Sequence, residues 1–292
     1  MEQQHTSGTD ISVEINDSVY CYNDIGIGTV PVIFIHGFPF DKSSWQPQME
    51  FLKNTHRVIS YDIRGFGKST GAMEVVSMGL FADDLIALMD KLQIVKAIVC
   101  GLSMGGYILL NAIQRYPDRF EAIVLCDTQC QADTPEGIEN RNQTISKIIS
   151  GSKTTWASEF IKKCFHPETL NKNRNIVERQ WDIIVTTTTS SLTETLRALA
   201  KRNEACTRLQ EINIPCMIIN GSDDLIISSE KAEFLKDNIR LSTLQFIENA
   251  GHLSNLDQPE TFNRLLLDFL NSLNVNPSVD MTNENPSTVD RK

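Results

Sequence analysis

Gly101-Leu102-Ser103-Met104-Gly105-Gly106 lies directly after an apolar run at residues 97–100 and overlaps the start of a helical pattern at residues 104–116. A Gly-x-Ser-x-Gly sequence by itself is a weak signal, but a strand, a sharp turn and a helix in this order form a nucleophile elbow. In such an elbow a strained backbone projects the serine hydroxyl above the sheet, and glycines stand where side chains would collide with the neighbouring strand and helix. The segment therefore indicates an α/β fold with Ser103 as the nucleophile.

Short runs rich in Val, Ile and Phe alternate with helical patterns on both sides of this segment. A hairpin of alternating polarity is expected over residues 12–22, and the later runs are so continuously apolar that they predict strands buried on both faces. Strands that alternate with helices imply a mostly parallel central sheet with helices on both faces. The predicted strands after the hairpin are residues 32–35, 57–61, 97–100, 122–126, 216–219 and 244–247, and the predicted helices are residues 79–92, 104–116, 230–238 and 259–273.

Residues 131–208 interrupt this alternation, because they contain no convincing strand but several helical segments. One of these segments is predicted to open at Ser191 with a capping box, and residues 186–191 have the composition of a loop. A helical insertion just past the middle of an α/β core is most simply a lid over the edge where the strands end. The predicted organisation is a polar N-terminal tail at residues 1–10, a core at 11–130 and 209–272, a helical lid at 131–208 and a polar C-terminal tail at 273–292.

Composition excludes several classes of function. The 292 residues carry a formal charge of −10, from 27 Lys and Arg against 37 Asp and Glu, which makes nucleic acid a poor partner. No stretch approaches 18 uninterrupted apolar residues, and the N-terminus lacks a basic region followed by an apolar one, so neither membrane spanning nor secretion is expected.

The cysteines bear on the cellular compartment. Their number, seven, is odd and no two form a Cys-x-x-Cys pair, which indicates neither a disulfide framework nor a zinc site and fits a reducing cytoplasm. No metal or cofactor is expected, and nothing in the sequence sets the oligomeric state.

A serine hydroxyl is a weak nucleophile at neutral pH and needs a base that is itself oriented by a third group. Of the five histidines, His252 lies in the loop Asn249-Ala250-Gly251-His252-Leu253, directly after the last apolar run. That loop would leave the carboxyl end of a strand and bring the imidazole over the elbow, so His252 is the predicted base. His36 is expected to pack and hydrogen-bond within its own turn instead.

The orienting carboxylate should lie between the serine and the histidine in the chain, again at a strand end. Asp223 and Asp224 both follow the run at residues 216–219, and their spacing alone does not separate them. Asp127, after the preceding core run, is a third candidate.

Acyl transfer also needs backbone amides aimed at the developing oxyanion. The turn Ile35-His36-Gly37-Phe38-Pro39 stands at the end of a predicted strand and can present the Phe38 amide. Met104, immediately after the serine, supplies a second amide. Phe38 and Met104 are therefore the predicted oxyanion hole.

Two observations bear on the substrate. Phe40, Trp156 and Trp181 are candidates for an apolar substrate pocket, although aromatic residues in a lid often serve only to pack it on the core. Residues 131–208 carry 12 Lys and Arg against 9 Asp and Glu, a net charge of +3 in an acidic chain. This balance could favour an anionic substrate such as a carboxylated lactone, but helix surfaces commonly carry mixed charges.

A rival motif, Gly65-Phe66-Gly67-Lys68-Ser69-Thr70, superficially resembles a phosphate-binding loop. A Walker A loop needs a glycine five residues before its Gly-Lys-Ser, and that position is Asp62. The sequence therefore argues against nucleotide binding.

Five segments in this order resemble the α/β-hydrolase superfamily, over roughly residues 12–272. Residues 127–137 and 251–262 further resemble its branch of 3-oxoadipate enol-lactonase-like hydrolases and carboxylesterases. In that family the acid usually stands three residues after the glycine of its loop, so the resemblance assigns this role to Asp224. The five segments are His36-Gly37-Phe38-Pro39, Asp62-Ile63-Arg64-Gly65-Phe66-Gly67-Lys68-Ser69, residues 101–106, residues 221–224 and Ala250-Gly251-His252.

The resemblance implies an α/β-hydrolase fold and a serine hydrolase, in which Ser103 forms an acyl-enzyme with a small-molecule ester or lactone. Epoxide hydrolases and dehalogenases of this superfamily carry aspartate at the elbow, and Ser103 therefore excludes them. Two alternatives remain: a carbon-carbon bond hydrolase of the meta-cleavage type that uses the same triad, and a ligand receptor that keeps the triad but signals through its lid.

Overall fold

The computed structural model describes residues 8–274, and its strands form one sheet. The strands are β1 (Gly8–Ile15), β2 (Ser18–Gly26), β3 (Val32–Ile35), β4 (Arg57–Tyr61), β5 (Ala97–Leu102), β6 (Phe120–Cys126), β7 (Cys216–Gly221) and β8 (Ser242–Ile247). Their order across the sheet is β1-β2-β4-β3-β5-β6-β7-β8. β1 and β2 pair antiparallel, as do β2 and β4, and every other neighbouring pair is parallel. The predicted mostly parallel α/β sheet is confirmed.

The helices cover both faces of this sheet. They are α1 (Gln46–Leu52), α2 (Met78–Lys91), α3 (Met104–Arg115), α4 (Pro135–Lys147), α5 (Lys153–Cys164), α6 (Pro167–Lys172), α7 (Arg174–Thr186), α8 (Thr189–Ala200), α9 (Ser229–Asn238), α10 (Ser254–Asp257) and α11 (Pro259–Asn274). The β3-α1-β4 connection leads toward one edge of the sheet, and the β4-α2-β5 connection leads toward the other edge. Because crossovers between parallel strands are right-handed, α1 and α2 lie on opposite faces of the sheet. α1 packs with α11, and α2 packs with α3. Among the helices of residues 8–274, none combines the length and the apolar composition needed to cross a membrane.

The burial of each strand follows its position in the sheet. Every residue of β3, β5 and β7 is buried, as their continuous apolar sequences predict. The expectation that residues 244–247 are buried on both faces was wrong, because β8 pairs only with β7 at the sheet edge. Gln245 and Phe246 of β8 are accordingly exposed.

The N-terminal boundary also differs from the expected tail at residues 1–10. β1 begins at Gly8, and Gly8 pairs with Asp24 of β2. The Asp10 carboxylate lies 3.0 Å from the Lys42 ammonium and 2.7 Å from that of Lys68. Backbone pairing and ion pairs thus hold a polar segment at the sheet edge without the apolar pattern on which the prediction rested.

At the other end, α11 continues through Asn274, two residues past the expected core boundary at 272. The remainder of the expected tail, residues 275–292, lies outside the described residues, as do residues 1–7.

Residues 131–208 hold α4 to α8 and, throughout that range, no strand. The expected loop at residues 186–191 is shorter, because Thr188 caps α8 by accepting a hydrogen bond from the Ser191 amide at 3.0 Å. The predicted start of this helix at Ser191 was therefore wrong by about one turn. A short 3₁₀ turn at Cys206–Glu211 extends across residue 208, where the lid was expected to end. That residues 131–208 form a separate lid stays a prediction.

A disulfide joins Cys130, just after β6, to Cys206, 76 residues later. It links the two ends of the helical insertion, where the Ala205 amide also donates to the Cys130 carbonyl at 2.9 Å. The odd cysteine count indicated no disulfide framework, and this single disulfide was not predicted because partners this far apart leave no local spacing pattern. The disulfide also removes the argument from cysteine usage for a reducing cytoplasm.

Candidate active site

Ser103 stands in a strained turn between β5 and α3. Its backbone has a φ of 51° and a ψ of −111°, a conformation that non-glycine residues rarely adopt. A Cβ at Gly101 would lie 2.5 Å from the Gly105 carbonyl oxygen, and one at Gly105 would lie 2.4 Å from that of Ile35. Only glycine fits at both positions, so the two glycines allow the elbow that lifts the serine above the sheet.

His252 joins Ser103 to Asp224 through both nitrogens of its ring. Its Nε2 lies 2.8 Å from the Ser103 Oγ, and its Nδ1 lies 2.8 Å from the Asp224 Oδ2. The imidazole is only 2% exposed. Three side chains that are far apart in the sequence therefore form one continuous hydrogen-bonded chain.

The neighbouring carboxylate raises the proton affinity of the imidazole. Burial disfavours the imidazolium of His252, but the neighbouring Asp224 carboxylate outweighs burial and raises the pKa of His252 above its ordinary value. The arrangement can accept the hydroxyl proton and stabilise the cation that results.

Asp224, and not Asp223, faces the histidine. The Asp224 Oδ1 accepts from the amides of Ile226 at 2.7 Å and Ile227 at 3.0 Å, which leaves Oδ2 for the imidazole. Asp223 is exposed and accepts instead from the Ser222 hydroxyl at 2.7 Å. The structure therefore separates two residues that spacing alone left equivalent.

Asp127 occupies a different place beside the triad. One of its carboxyl oxygens accepts from the Gly221 amide at 2.8 Å, and the other accepts from the Ser254 hydroxyl at 2.5 Å. Gly221 begins the loop of Asp224, and Ser254 follows the loop of His252. Burial, with a further contribution from the Asp224 carboxylate, raises the pKa of Asp127 well above its ordinary value. Asp127 therefore ties the two loops together without hydrogen-bonding to the histidine.

The predicted oxyanion amides flank the serine. Phe38 and Met104 line the same cavity as the Ser103 hydroxyl. Within residues 8–274, neither the Phe38 nor the Met104 amide donates to another protein group, so both are available to a ligand.

His36 holds this turn and does not reach the serine. Its Nε2 accepts from the Ile63 amide at 3.0 Å, and its Nδ1 lies 3.0 Å from the Gly37 carbonyl oxygen. Burial lowers the pKa of His36, which keeps the ring neutral with its proton on Nδ1. The expected packing role of His36 agrees with these contacts.

A cavity of about 260 Å³, here called the inner cavity, opens on the Ser103 hydroxyl and the His252 imidazole. Trp156 and Phe160 of α5 line this cavity and stack with ring centroids 5.5 Å apart. Of the three predicted pocket residues, only Trp156 lines this cavity, and Phe40 and Trp181 do not.

Packing explains the two exceptions. Phe40 is 1% exposed and lies behind Phe160, with ring centroids 6.4 Å apart. Trp181 of α7 instead donates its indole N–H to the Ser158 hydroxyl at 3.0 Å. Both aromatic residues therefore support α5 and do not face the serine.

An ion-pair cluster that was not predicted from the sequence lies at this cavity. The Asp133 carboxylate pairs with Arg141, which lines the inner cavity, and with Arg202, whose Nη1 lies 2.6 Å away. The Arg202 guanidinium also stacks over the Tyr107 ring, 4.4 Å from its centroid. Positions so far apart give no sequence signal, and only the fold brings them together.

The Gly65–Thr70 motif closes around a protein carboxylate. The Lys68 amide donates to the Asp62 Oδ2 at 2.9 Å, and a Cβ at Gly67 would lie 2.3 Å from the Asp62 carboxyl carbon. This loop forms a turn around the Asp62 carboxylate, and the absence of nucleotide binding stays a prediction.

Comparisons with known proteins agree with this geometry. Residues 30–259 match the alpha/beta hydrolase fold family. The chain is 29% identical to 3-oxoadipate enol-lactonase 1 of Acinetobacter baylyi, over 91% of this chain and 95% of that protein. A malate-bound thermophilic esterase from Thermogutta terrifontis superposes with a TM-score of 0.86 and 29% identity, over 90% of this chain and 98% of that one. The enol-lactonase of Burkholderia xenovorans LB400, at 24% identity, shares the fold with a TM-score of 0.84, over 89% of this chain and 100% of that one. The chain therefore belongs to the alpha/beta hydrolase fold family.

Proposed function

We propose that this protein is a serine hydrolase that cleaves small carboxylic esters or lactones through an acyl-enzyme on Ser103. The hydrogen-bonded chain from Ser103 through His252 to Asp224, at a strained elbow, carries the proposal. An esterase and an enol-lactonase among the similar proteins support the choice of bond.

In the first step the Ser103 Oγ attacks the substrate carbonyl carbon while the His252 Nε2 accepts the hydroxyl proton. Asp224 holds the Nδ1 proton and stabilises the imidazolium. The Phe38 and Met104 amides donate to the oxyanion of the tetrahedral intermediate. His252 then protonates the leaving oxygen, and a water activated by the same imidazole hydrolyses the acyl-enzyme.

The charges beside the inner cavity favour a substrate with a carboxylate. Arg141 and Arg202 share the single carboxylate of Asp133, which leaves one positive charge beside the cavity. A guanidinium binds carboxylates in a bidentate manner. We therefore propose that Arg141 binds an acidic group on short substrates, as an enol-lactone derived from 3-oxoadipate would carry.

A panel of p-nitrophenyl esters, carboxylated lactones and a meta-cleavage diketone tests this proposal. We expect multiple turnovers on esters or lactones, with a rate of about 10 per second on the best of them. Faster turnover of the diketone would instead identify a carbon-carbon bond hydrolase. Turnover below about one per minute, together with a ligand-induced change in lid proteolysis, would identify a receptor.

The pH dependence of kcat/KM should report on His252. The base must be neutral, and its pKa is raised by Asp224, so kcat/KM should fall as the pH drops through a value above the ordinary 6.5 of histidine. Hydrolysis of p-nitrophenyl acetate measures this fall in kcat/KM. The reaction is followed from about pH 5 to about pH 9 at the isosbestic wavelength of p-nitrophenol and its anion. A profile that stays flat on the acid side would contradict His252 as the base.

Asp127→Ala should lower kcat by roughly 10- to 100-fold with little change in KM, because the loops of acid and base lose their common anchor. Asp127→Asn should stay within about 3-fold of the wild type, since an amide oxygen can accept from Gly221 and an amide nitrogen can donate to Ser254. Steady-state kinetics normalised by fluorophosphonate titration separates this effect from a loss of folded protein. Equal losses in both variants would contradict the anchoring role.

A further inference from the structure

A second cavity of about 350 Å³, here called the outer cavity, adjoins the inner cavity. The two share Asn140, Thr144, Trp156 and Phe160 in their linings. The inner cavity, at about 260 Å³, is below the usual range of ligand pockets, about 300–1,000 Å³. A ligand of ordinary size at Ser103 therefore has room to extend past the shared residues.

The outer cavity lies between the facing stripes of α4 and α5. On each helix its lining residues recur at the i, i+3, i+4 and i+7 spacing of a single helix face. Facing stripes of packed helices are normally apolar, but here α4 contributes only polar side chains. The lining residues are Asn140, Gln143, Thr144 and Lys147 on α4 and Trp156, Glu159, Phe160 and Lys163 on α5.

The charges of this stripe favour an anion. The charged side chains that line the outer cavity are two lysines, Lys147 and Lys163, and one carboxylate, that of Glu159. Within residues 8–274, neither lysine ammonium forms an ion pair with a carboxylate. Both lysines are exposed, so their attraction for an anion should be modest and sensitive to salt.

We propose that the outer cavity binds the distal anionic group of elongated substrates, whose aliphatic middle lies on Trp156 and Phe160 while the ester carbonyl reaches Ser103. This inference rests on the proposed function and adds a substrate class to it. Monoesters of linear dicarboxylic acids match this order of reactive, apolar and anionic parts. Short members place the carboxylate near Arg141, and longer members place it at Lys147 and Lys163.

The test compares p-nitrophenyl monoesters of dicarboxylic acids of increasing length with p-nitrophenyl alkanoates of matched length. The ratio of their kcat/KM values measures the preference for the distal carboxylate. In the wild type we expect this ratio to rise once the acyl chain of the substrate is long enough to extend past the four residues that line both cavities. In Lys147→Met/Lys163→Met it should fall by about 3- to 10-fold for long chains, with short chains and neutral esters unchanged. About 1 M NaCl should remove the preference from the wild type.

Lys162→Met is the matched control, because Lys162 is an exposed neighbour on α5 that lines neither cavity. An equal loss in this control, or no loss in the double variant at any length, would overturn the second subsite. In either case, turnover of p-nitrophenyl acetate by the wild type would leave the proposed function standing. A wild type that hydrolyses no ester would remove both proposals.

Discussion

Ser103→Ala should abolish the hydrolysis of p-nitrophenyl acetate, with a loss in kcat of roughly 10⁴- to 10⁶-fold. The substitution removes the oxygen that forms the acyl-enzyme, and no other hydroxyl is hydrogen-bonded to the His252 Nε2 within residues 8–274. The fold should survive, because in the described part of the chain the Ser103 Oγ is hydrogen-bonded only to the imidazole, and the strained backbone changes little with alanine. Circular dichroism and thermal unfolding check this directly.

A fluorophosphonate probe should label the wild type at Ser103, and the variant should not be labelled. Ser222→Ala is a matched control, because Ser222 is exposed in the loop of the acid and, of the residues that the structure describes, its side chain hydrogen-bonds only to Asp223. This control should keep both labelling and turnover. Turnover that persists in Ser103→Ala would show that the serine is not the nucleophile.

The parts of the fold that the sequence predicts are those with a local physical cause. β3 and β4 match their predicted bounds because continuous apolar runs between turns leave few alternatives. The elbow is local in part, since glycine is required at 101 by the Gly105 carbonyl four residues away. Glycine is required at 105 by the Ile35 carbonyl of the adjacent β3, and this position was found from the Gly-x-Ser-x-Gly motif. The loop of His252 could be placed because strands of a parallel sheet end at the same edge.

The parts that escaped prediction depend on partners far away in the chain. An apolar run does not reveal whether its strand is central or at the edge, which is why the burial of β8 was overestimated. The disulfide and the Arg141-Asp133-Arg202 cluster join segments about 70 residues apart and leave no pattern. Phe40 and Trp181 show the same limit, because side-chain type does not determine which side of α5 a residue contacts.

Asp224→Asn should lower kcat by about 10⁴-fold while the protein stays folded. An asparagine can present its amide N–H to the His252 Nδ1, which would move the ring proton to Nε2, the nitrogen that must accept from Ser103. The imidazolium would also lose the carboxylate that stabilises it, so the acid limb of the pH profile should move to lower pH. Both effects arise from the 2.8 Å contact between the two side chains.

Two other aspartates make this prediction specific. Asp223→Asn should leave kcat within about 2-fold, because the Asp223 side chain is exposed and, among the described residues, hydrogen-bonds only to the adjacent Ser222. Asp127→Asn should also stay active, although Asp127 is as deeply buried as the acid itself. The same Asp-to-Asn change at three neighbouring positions therefore distinguishes three effects. These are the loss of the group that orients the base, the loss of a buried carboxyl group and the loss of a surface charge. A large loss in Asp223→Asn, or full activity in Asp224→Asn, would show that the carboxylate facing His252 in the structure does not serve as the catalytic acid.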